Sequence, residues 1–163
     1  MRVRAVGLTL AVSVAMTFAA LAPPAGAAKV PDPCKVLKAS EIQSAFGVAP
    51  GPPVKGLTTV ASTSCTYALA ASGTRPDGTL VVTVMFIGGK PAYDGLKATP
   101  QFAPVPEVGK KSLYQESTGA LGTLVGPNYV TVQGVFRSAT PPFTMVDTKP
   151  QLIPLAKIAA KRV

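Results

Sequence analysis

The feature that most constrains this chain is its pair of cysteines, Cys34 and Cys65, the only two in 163 residues. In an exported protein two cysteines allow a single intramolecular pairing, so the sequence predicts one disulfide between them. The closed loop of about 30 residues would contribute about 3 to 4 kcal/mol in a chain-entropy model. That is comparable to the whole stability margin of a small domain. The pairing would tie the start of the chain's folded part to a strand.

Export is predicted by the first residues. Arg2 and Arg4 precede an apolar run over residues 5–21, and small residues follow in Ala25-Gly26-Ala27. This pattern is typical of a secretory signal peptide, with cleavage after Ala27. A membrane anchor is the alternative, but the run is short and two prolines break it. Because no cysteine directly follows the small residues, we expect a secreted protein without a lipid anchor.

The predicted mature chain, residues 28–163, has the length of one domain with one core. Two of the sixteen basic residues and none of the seven acidic ones lie in the leader, so its removal changes the net charge from +9 to +7. The basic residues are scattered and are not interleaved with aromatic ones, which argues against nucleic-acid binding. We expect a solvated basic surface with weak attraction to anionic surfaces.

The first helix is predicted from Ser40 to Phe46. Ser40 and Gln43 have the spacing of a capping box, and Gly47 suits the left-handed residue that ends a helix. Residues 48–55 contain three prolines and one glycine, which predict a connector without regular structure. A strand with Cys65, Tyr67 and Leu69 on its inner face is expected at 64–69.

Four further strands and two helices are predicted from residue patterns. Turn-forming residues at 72–78 lead into a β-branched strand at 80–87, apolar on both faces and therefore expected in the middle of the sheet. The remaining elements are a short helix at 91–97, a meander of strands at 108–114, 121–125 and 129–136, and a C-terminal helix.

In the C-terminal helix, Pro154 is expected in the first turn, which would put the start at about Gln151 or later. Its buried residues are predicted at helical spacing: Leu152, Leu155, Ala156, Ala159 and Val163. Together these elements predict an α+β fold. An antiparallel sheet of about five strands would be flanked by the short N-terminal helix and the C-terminal helix.

Taken in order, a set of short motifs resembles a family of actinobacterial secreted proteins and lipoproteins of undefined function. The motifs are Asp32-Pro33-Cys34, the Ser40 to Gly47 helix, Cys65-Thr66-Tyr67, the turn at 105–109, Leu113-Tyr114, Leu124, Val130-Thr131-Val132 and Leu155-Ala156-Lys157. The resemblance implies an envelope or extracellular location and an antiparallel sheet flanked by helices. It supplies no catalytic residue, and the lipid-anchoring cysteine of many members is absent here.

The composition argues against most enzyme classes. The chain has no histidine, which removes the usual general base and the preferred zinc ligand, and a disulfide would remove both thiols. The stretch Gly109-Lys110-Lys111-Ser112 departs from the phosphate-binding loop pattern. We therefore expect no cofactor and no metal. Seven carboxylates could still serve a hydrolase if two faced each other across a cleft.

Aromatic residues are the candidate lining of an apolar ligand pocket between sheet and helices. They are Tyr67, Tyr93, Tyr114, Tyr129 and Phe136, with Phe102 and Phe143. Aromatic residues in strands more often fill a core, so this second interpretation stays open.

The function that the sequence favours is a secreted, non-catalytic envelope domain that binds a small ligand or an envelope protein. Two alternatives remain. One is a histidine-free carboxylate hydrolase acting on cell-wall glycan, and the other is a secreted inhibitor that presents the loop at 72–78.

Overall fold

A computed structural model describes residues 30–136 and 148–163. Within these ranges the chain forms three α-helices: α1 (Ala39–Phe46), α2 (Gly89–Lys97) and α3 (Lys149–Arg162). The predicted leader and Phe143 lie outside the described residues. None of the described helices is long and apolar enough to cross a membrane.

Seven strands form one antiparallel sheet. They are β1 (Val54–Thr58), β2 (Ser62–Leu69), β3 (Gly78–Met85), β4 (Phe102–Pro104), β5 (Ser112–Gln115), β6 (Ala120–Val125) and β7 (Asn128–Phe136). Their order across the sheet is β1-β2-β3-β7-β6-β5-β4, and each neighbouring pair is antiparallel. The predicted α+β class with one antiparallel sheet is therefore confirmed, as are the hairpin from β2 to β3 and the meander from β5 to β7.

The strand count of about five was wrong, because both edge strands were missed. β1 begins directly after Pro52-Pro53, inside the segment predicted to lack regular structure. β4 has three residues and ends at Pro104. Edge strands pair on one side only and tolerate nearby proline, so short proline-flanked edges carry little sequence signal.

One face of the sheet, called the covered face here, packs against α1 and α3. Its core joins strand residues such as Tyr67, Val82 and Val132 to helix residues such as Ile42 and Leu155, all of them buried. β3 lies between β2 and β7, as its two apolar faces predicted. The alternation of β2 is also confirmed, because Cys65, Tyr67 and Leu69 all point into this core.

The second face carries α2 over part of its area. A smaller cluster of Tyr93, Leu113, Leu124 and Tyr129 fills the contact. The rings of Tyr93 and Tyr129 lie 6.3 Å apart at an angle of 52°. α2 covers the part of the face near β4, β6 and the start of β7, and no helix of the described residues lies on the rest of this face.

The start of α1 differs from the prediction. The N-cap is Lys38, whose backbone N–H donates to Glu41 Oε2 at 2.8 Å, and Ser40 lies inside the helix. The capping box at Ser40 and Gln43 was therefore wrong, because Glu41 provides the same contact two residues earlier in the chain. Gly47 ends the helix with φ of 73°, as its position predicted.

The start of α3 also differs. The helix begins at Lys149, and Pro154 lies inside it instead of in the first turn. Pro150 occupies the first turn, while Pro154 gives up one backbone hydrogen bond on the exposed side. Burial of Leu152, Leu155, Ala156 and Ala159 outweighs that loss. Val163 is only half-buried.

The disulfide between Cys34 and Cys65 is present, with Cα atoms 5.1 Å apart. Asp32 caps the short 3-10 turn Pro33–Lys35 by accepting from the Cys34 N–H. Next to the bridge, the Tyr67 hydroxyl donates to the carbonyl oxygens of Cys34 and Leu37, at 3.1 and 3.2 Å. Burial raises the pKa of Tyr67, so the phenol stays neutral and keeps donating. Covalent and polar links thus fix the first described segment to β2.

Candidate functional site

The uncovered part of the second face is the broadest accessible surface that the sheet offers. We call it the open face and define it by Ser64 and Thr66 of β2, Val81 and Thr83 of β3, and Thr131 and Gln133 of β7. All six are half-buried, as expected for side chains standing on a sheet without a covering layer. They alternate with buried covered-face residues along each strand.

Strand register places three hydroxyl groups of the open face side by side. Ser64 is directly opposite Thr83, and Thr83 is directly opposite Thr131. We call these three residues the hydroxyl row. Because neighbouring strands lie about 4.8 Å apart, the row crosses three strands at nearly regular intervals. Each hydroxyl can donate one hydrogen bond and accept others.

Glycine lies at both ends of the hydroxyl row. On β6, Gly122 is opposite Thr131, and a Cβ atom at Gly122 would overlap the phenol of Tyr129. The Tyr129 ring therefore extends along the sheet and rests on Gly122. On β1, a Cβ atom at Gly56 would overlap the Ser64 hydroxyl in the same way. Glycine keeps both ends of the row flat and lets a polar oxygen lie over the backbone.

The phenol of Tyr129 stays protonated at physiological pH. Burial, followed by the nearby Tyr93, raises the pKa of Tyr129 to about 12. Its oxygen extends the hydroxyl row toward β6 as a neutral donor and acceptor.

The open face carries no charged side chain, which sets it apart from the usual solvated face of a sheet. Its positions hold Ser, Thr, Val, Gln, Ala and Gly, including Val54 on β1 and Ala120 on β6 at the sides of the row. The partner of Lys55 in the register is Cys65, which places Lys55 on the other face. Threonine and valine are themselves common in strands, so the lack of charge is what distinguishes this face.

The hydroxyls of the row also differ from those on the covered face. There, Ser112 and Thr123 share a hydrogen bond of 3.0 Å, and Thr58 and Thr63 share one of 3.1 Å. Among the hydrogen bonds of the described residues, none involves the hydroxyl of Ser64, Thr83 or Thr131. Their hydrogen-bonding capacity is therefore not used by other described side chains.

The aromatic residues predicted to line a pocket do not share one cavity. Tyr67, Tyr114 and Phe136 lie in the core of the covered face, whereas Tyr93 and Tyr129 lie under α2 on the second face. All five are buried. Their rings fill space in two separate cores, as the second interpretation of the sequence expected. Phe102 packs beside the smaller cluster.

Six of the seven carboxylates lie in the described residues, and each is at a turn or helix position. Asp32 caps the 3-10 turn and lies 3.9 Å from Lys35, and Asp94 pairs with Lys90 along α2. Asp77 and Glu107 lie in loops, and Glu116 opens the 3-10 turn Glu116–Thr118. The described part of the chain brings no three His, Cys, Asp or Glu side chains together in a way that could hold a metal ion.

Glu41 is bound on the outside of the helix layer. Both Glu41 oxygens accept from the Arg162 guanidinium, which also donates to the carbonyl oxygen of Val36 at 2.8 Å. The hydrogen bond from Arg162 is the main cause that lowers the pKa of Glu41. The Glu41 carboxylate therefore links α1 to α3.

Two crevices flank this ion pair. One, of about 350 Å³, lies between Asp32, Lys35 and Arg162, and the other, of about 240 Å³, lies between Ser44 of α1 and Ile158 of α3. The charged groups along the first are paired with each other or with Glu41. The second is lined mainly by apolar side chains together with Glu41 and the serines Ser40 and Ser44 on one helix, whereas the open face places its hydroxyls across three strands.

The hydroxyl row was missed in the sequence, although a signal for it was present. Serine or threonine recurs at every second position in Ser62-Thr63-Ser64-Cys65-Thr66 and again at Thr79, Thr83 and Thr131, with no charged residue at the outward-facing positions of these strands. The alternation indicated which residues face outward. It could not show that three of them are adjacent, because strand register is a tertiary property.

No protein-family model matches the chain, and neither a curated protein nor a solved structure is significantly similar to it.

Proposed function

We propose that this protein is a non-catalytic binding domain that acts outside the cytoplasm and holds a neutral, hydroxyl-rich polymer of the cell envelope on its open face. The observation that carries the proposal is the hydroxyl row, which stands on an uncharged surface of a chain whose net charge is +7 without the leader. A surface kept free of lysine in so basic a protein favours a neutral partner over an anionic one.

The chemistry of the row fits a polysaccharide. A sugar chain presents hydroxyls that both donate and accept, and the side chains of Ser64, Thr83 and Thr131 can do the same. The methyl groups of the threonines and the side chain of Val81 offer apolar contact to the C–H faces of sugar rings. An anionic polymer would instead be expected at the lysines, which lie off this face.

Export supports an envelope location for this binding. The leader predicted at residues 1–27 would direct the chain out of the cytoplasm. A disulfide is stable in an oxidising compartment, and the bridge between Cys34 and Cys65 fits that setting.

The inhibitor alternative gains no support from the loop at 72–78. The guanidinium of Arg75 lies 5.4 Å from the ring centres of both Phe46 and Phe136, and it donates to the carbonyl oxygen of Ala70 at 2.9 Å. The basic side chain that a trypsin-like protease would recognise is thus folded back onto the core.

The test is binding of the mature chain to insoluble neutral polysaccharides, measured by co-sedimentation and then by calorimetry with soluble oligosaccharides. Wild-type protein should bind at least one neutral polymer more tightly than anionic polymers. Thr83→Arg and Thr131→Arg place a bulky charge in the row and should weaken binding at least about tenfold. Thr83→Val removes one hydroxyl with little change of shape and should weaken it by about 2- to 10-fold, the value of one hydrogen bond.

The matched control is Thr74→Arg, which adds the same charge in an exposed loop away from the face. It should bind like wild type, and circular dichroism should show all variants folded. Binding by Thr83→Arg equal to wild type would contradict the proposal. So would wild-type protein that binds anionic polymers only, or no polymer in the panel.

A further inference from the structure

Three aliphatic side chains at one end of the molecule are far more exposed than their chemistry favours. Val60 is 89% exposed, Leu57 is 78% exposed and Ile87 is 60% exposed. We call these three residues the apolar tip. Single exposed aliphatic residues are common on protein surfaces, but a group of them at one place indicates an interaction site.

Backbone hydrogen bonds hold the parts of the apolar tip together. Val60 lies in the turn between β1 and β2, whereas Ile87 lies in the connection from β3 to α2. The N–H groups of Phe86 and Ile87 both donate to the carbonyl oxygen of Ala61, at 2.9 and 3.2 Å. The two loops therefore form one end of the sheet and are not independent flaps.

The turn at the tip satisfies much of its own hydrogen-bonding capacity. The Thr59 N–H donates to the carbonyl oxygen of Ser62 at 2.8 Å, and the Thr59 hydroxyl oxygen accepts from the N–H groups of Ala61 and Ser62 at 3.2 and 2.9 Å. With the Ala61 carbonyl also paired, three of the six backbone N–H and C=O groups of residues 59–61 are bonded within the protein. Each polar group that is paired internally lowers the cost of entering a low-dielectric environment.

Charged residues at this end of the sheet lie around the apolar tip and not on it. No charged residue occurs from Gly56 to Ser62 or from Phe86 to Gly89. The connection from β4 to β5 reaches the same end, since the Lys111 carbonyl accepts from Leu124 near the end of β6. That connection carries Lys110 and Lys111 together with Glu107, all exposed. Lys90 of α2 pairs with Asp94.

We propose that the apolar tip inserts into the interfacial region of an anionic lipid bilayer. Aliphatic side chains would enter the boundary between headgroups and acyl chains, and the mature chain, with net charge +7 once Arg2 and Arg4 are removed with the leader, would be attracted to anionic headgroups. This attachment is reversible and does not require a lipid anchor. It is independent of polymer binding, because the tip lies at one end of the sheet and the hydroxyl row lies on its open face.

The first experiment is co-sedimentation of the mature chain with vesicles of phosphatidylcholine containing phosphatidylglycerol. Val60→Ser and Leu57→Ser remove apolar surface without changing charge, and each should lower the partition coefficient about 3- to 10-fold. The matched control is Val135→Ser, since Val135 is also exposed, at 44%, but lies on the sheet away from the tip. This control should bind vesicles like wild type.

The second experiment uses the absence of tryptophan from the chain. Val60→Trp and Val135→Trp each create a single fluorescent reporter. On adding vesicles, the reporter at position 60 should shift to shorter wavelength and be quenched by brominated lipid, while the reporter at position 135 should do neither.

Several results would overturn the proposal. One is wild-type protein that does not sediment with anionic vesicles. Another is equal binding by Val60→Ser and wild type, with all binding abolished by salt, which would show that charge alone acts. A reporter at position 60 that vesicles leave unchanged would assign the tip to a protein partner instead.

Discussion

The covered face and the open face of the sheet are built from alternate residues of the same strands, yet they differ in every physical respect. Val82 of β3 is fully buried under the helices, while its neighbour Val81 stands half-buried on the open face. The covered face consists mainly of aliphatic and aromatic side chains, with hydroxyls such as Ser112 and Thr123 bonded to each other, whereas the open face consists of solvent-accessible hydroxyls, small residues and valine without charge. Stability and recognition are thus separated by the period-two alternation of a strand.

The largest expected effect is on the free energy of unfolding when the disulfide between Cys34 and Cys65 is removed. Replacing both cysteines, Cys34→Ser with Cys65→Ser, should lower the free energy of unfolding by about 2 to 5 kcal/mol, because the unfolded chain regains the freedom of a 31-residue loop. Urea denaturation of oxidised wild type and the double variant measures the difference. Non-reducing peptide mapping should find the bridge in exported protein. Free thiols at either position, or a variant within 1 kcal/mol of wild type, would contradict the prediction.

Val82 and Val81 provide a direct comparison of the two faces. Val82→Ala should lower the free energy of unfolding by about 2 kcal/mol, because it removes buried methyl groups and leaves a cavity under the helices. Val81→Ala should stay within about 0.5 kcal/mol of wild type, as for most surface changes. Chemical denaturation of both variants measures this difference. Equal costs would show that the open face is covered in solution.

A substitution at Arg75 tests how much its contact with aromatic rings of the covered face stabilises the protein. Its guanidinium lies over Phe46 and Phe136, and burial lowers the pKa of Arg75. Arg75→Ala should cost about 1 kcal/mol through the loss of cation–π contact and packing. Thr74→Ala is the control, since Thr74 is an exposed neighbour in the same loop. Equal melting temperatures of the two variants in a thermal scan would contradict a stabilising role for Arg75.

The smallest expected effect concerns the ion pair outside the helix layer. Because the pKa of Glu41 is lowered in the folded state from its ordinary value of 4.5, its contribution to stability is present above pH 4.5 and is lost as the pH falls through the folded-state pKa. Glu41→Gln should therefore flatten part of the acid limb of the stability curve. Urea midpoints at pH 7 and pH 3 measure this. Identical pH profiles for variant and wild type would contradict it, and exposed pairs of this kind have modest effects in any case.

Much of the fold could be predicted from local patterns. Alternation located β2, β3 and β7, helical spacing located α3, and Gly47 marked the end of α1. The failures occurred where local patterns conflict with distant contacts. Pro154 argued for a later start of α3, but burial of Leu152 and Leu155 holds the helix through it. The prolines before β1 hid an edge strand whose existence depends on pairing with β2.

The candidate site was harder to predict from the sequence than the fold was. The five aromatic residues were predicted as one group. Neighbouring strand positions point to opposite faces, as Tyr129 and Val130 do, so the group divides between two cores. The apolar tip was not recognised either. Leu57, Val60 and Ile87 are ordinary residues of a hydrophobic sequence until the fold leaves them outside, and only then does their exposure carry meaning.

By itself, the sequence determined the single disulfide, the α+β class, the inward-facing residues of the central strands and the lack of histidine chemistry, because each depends on composition or on local periodicity. Only the tertiary structure decided which residues face each other. It placed Ser64, Thr83 and Thr131 in one row, rested Tyr129 on Gly122, and joined the turn of Val60 to the loop of Ile87. The physical reason is that strand register and loop contact are set by pairing between segments far apart in the chain, and residue spacing does not encode that pairing.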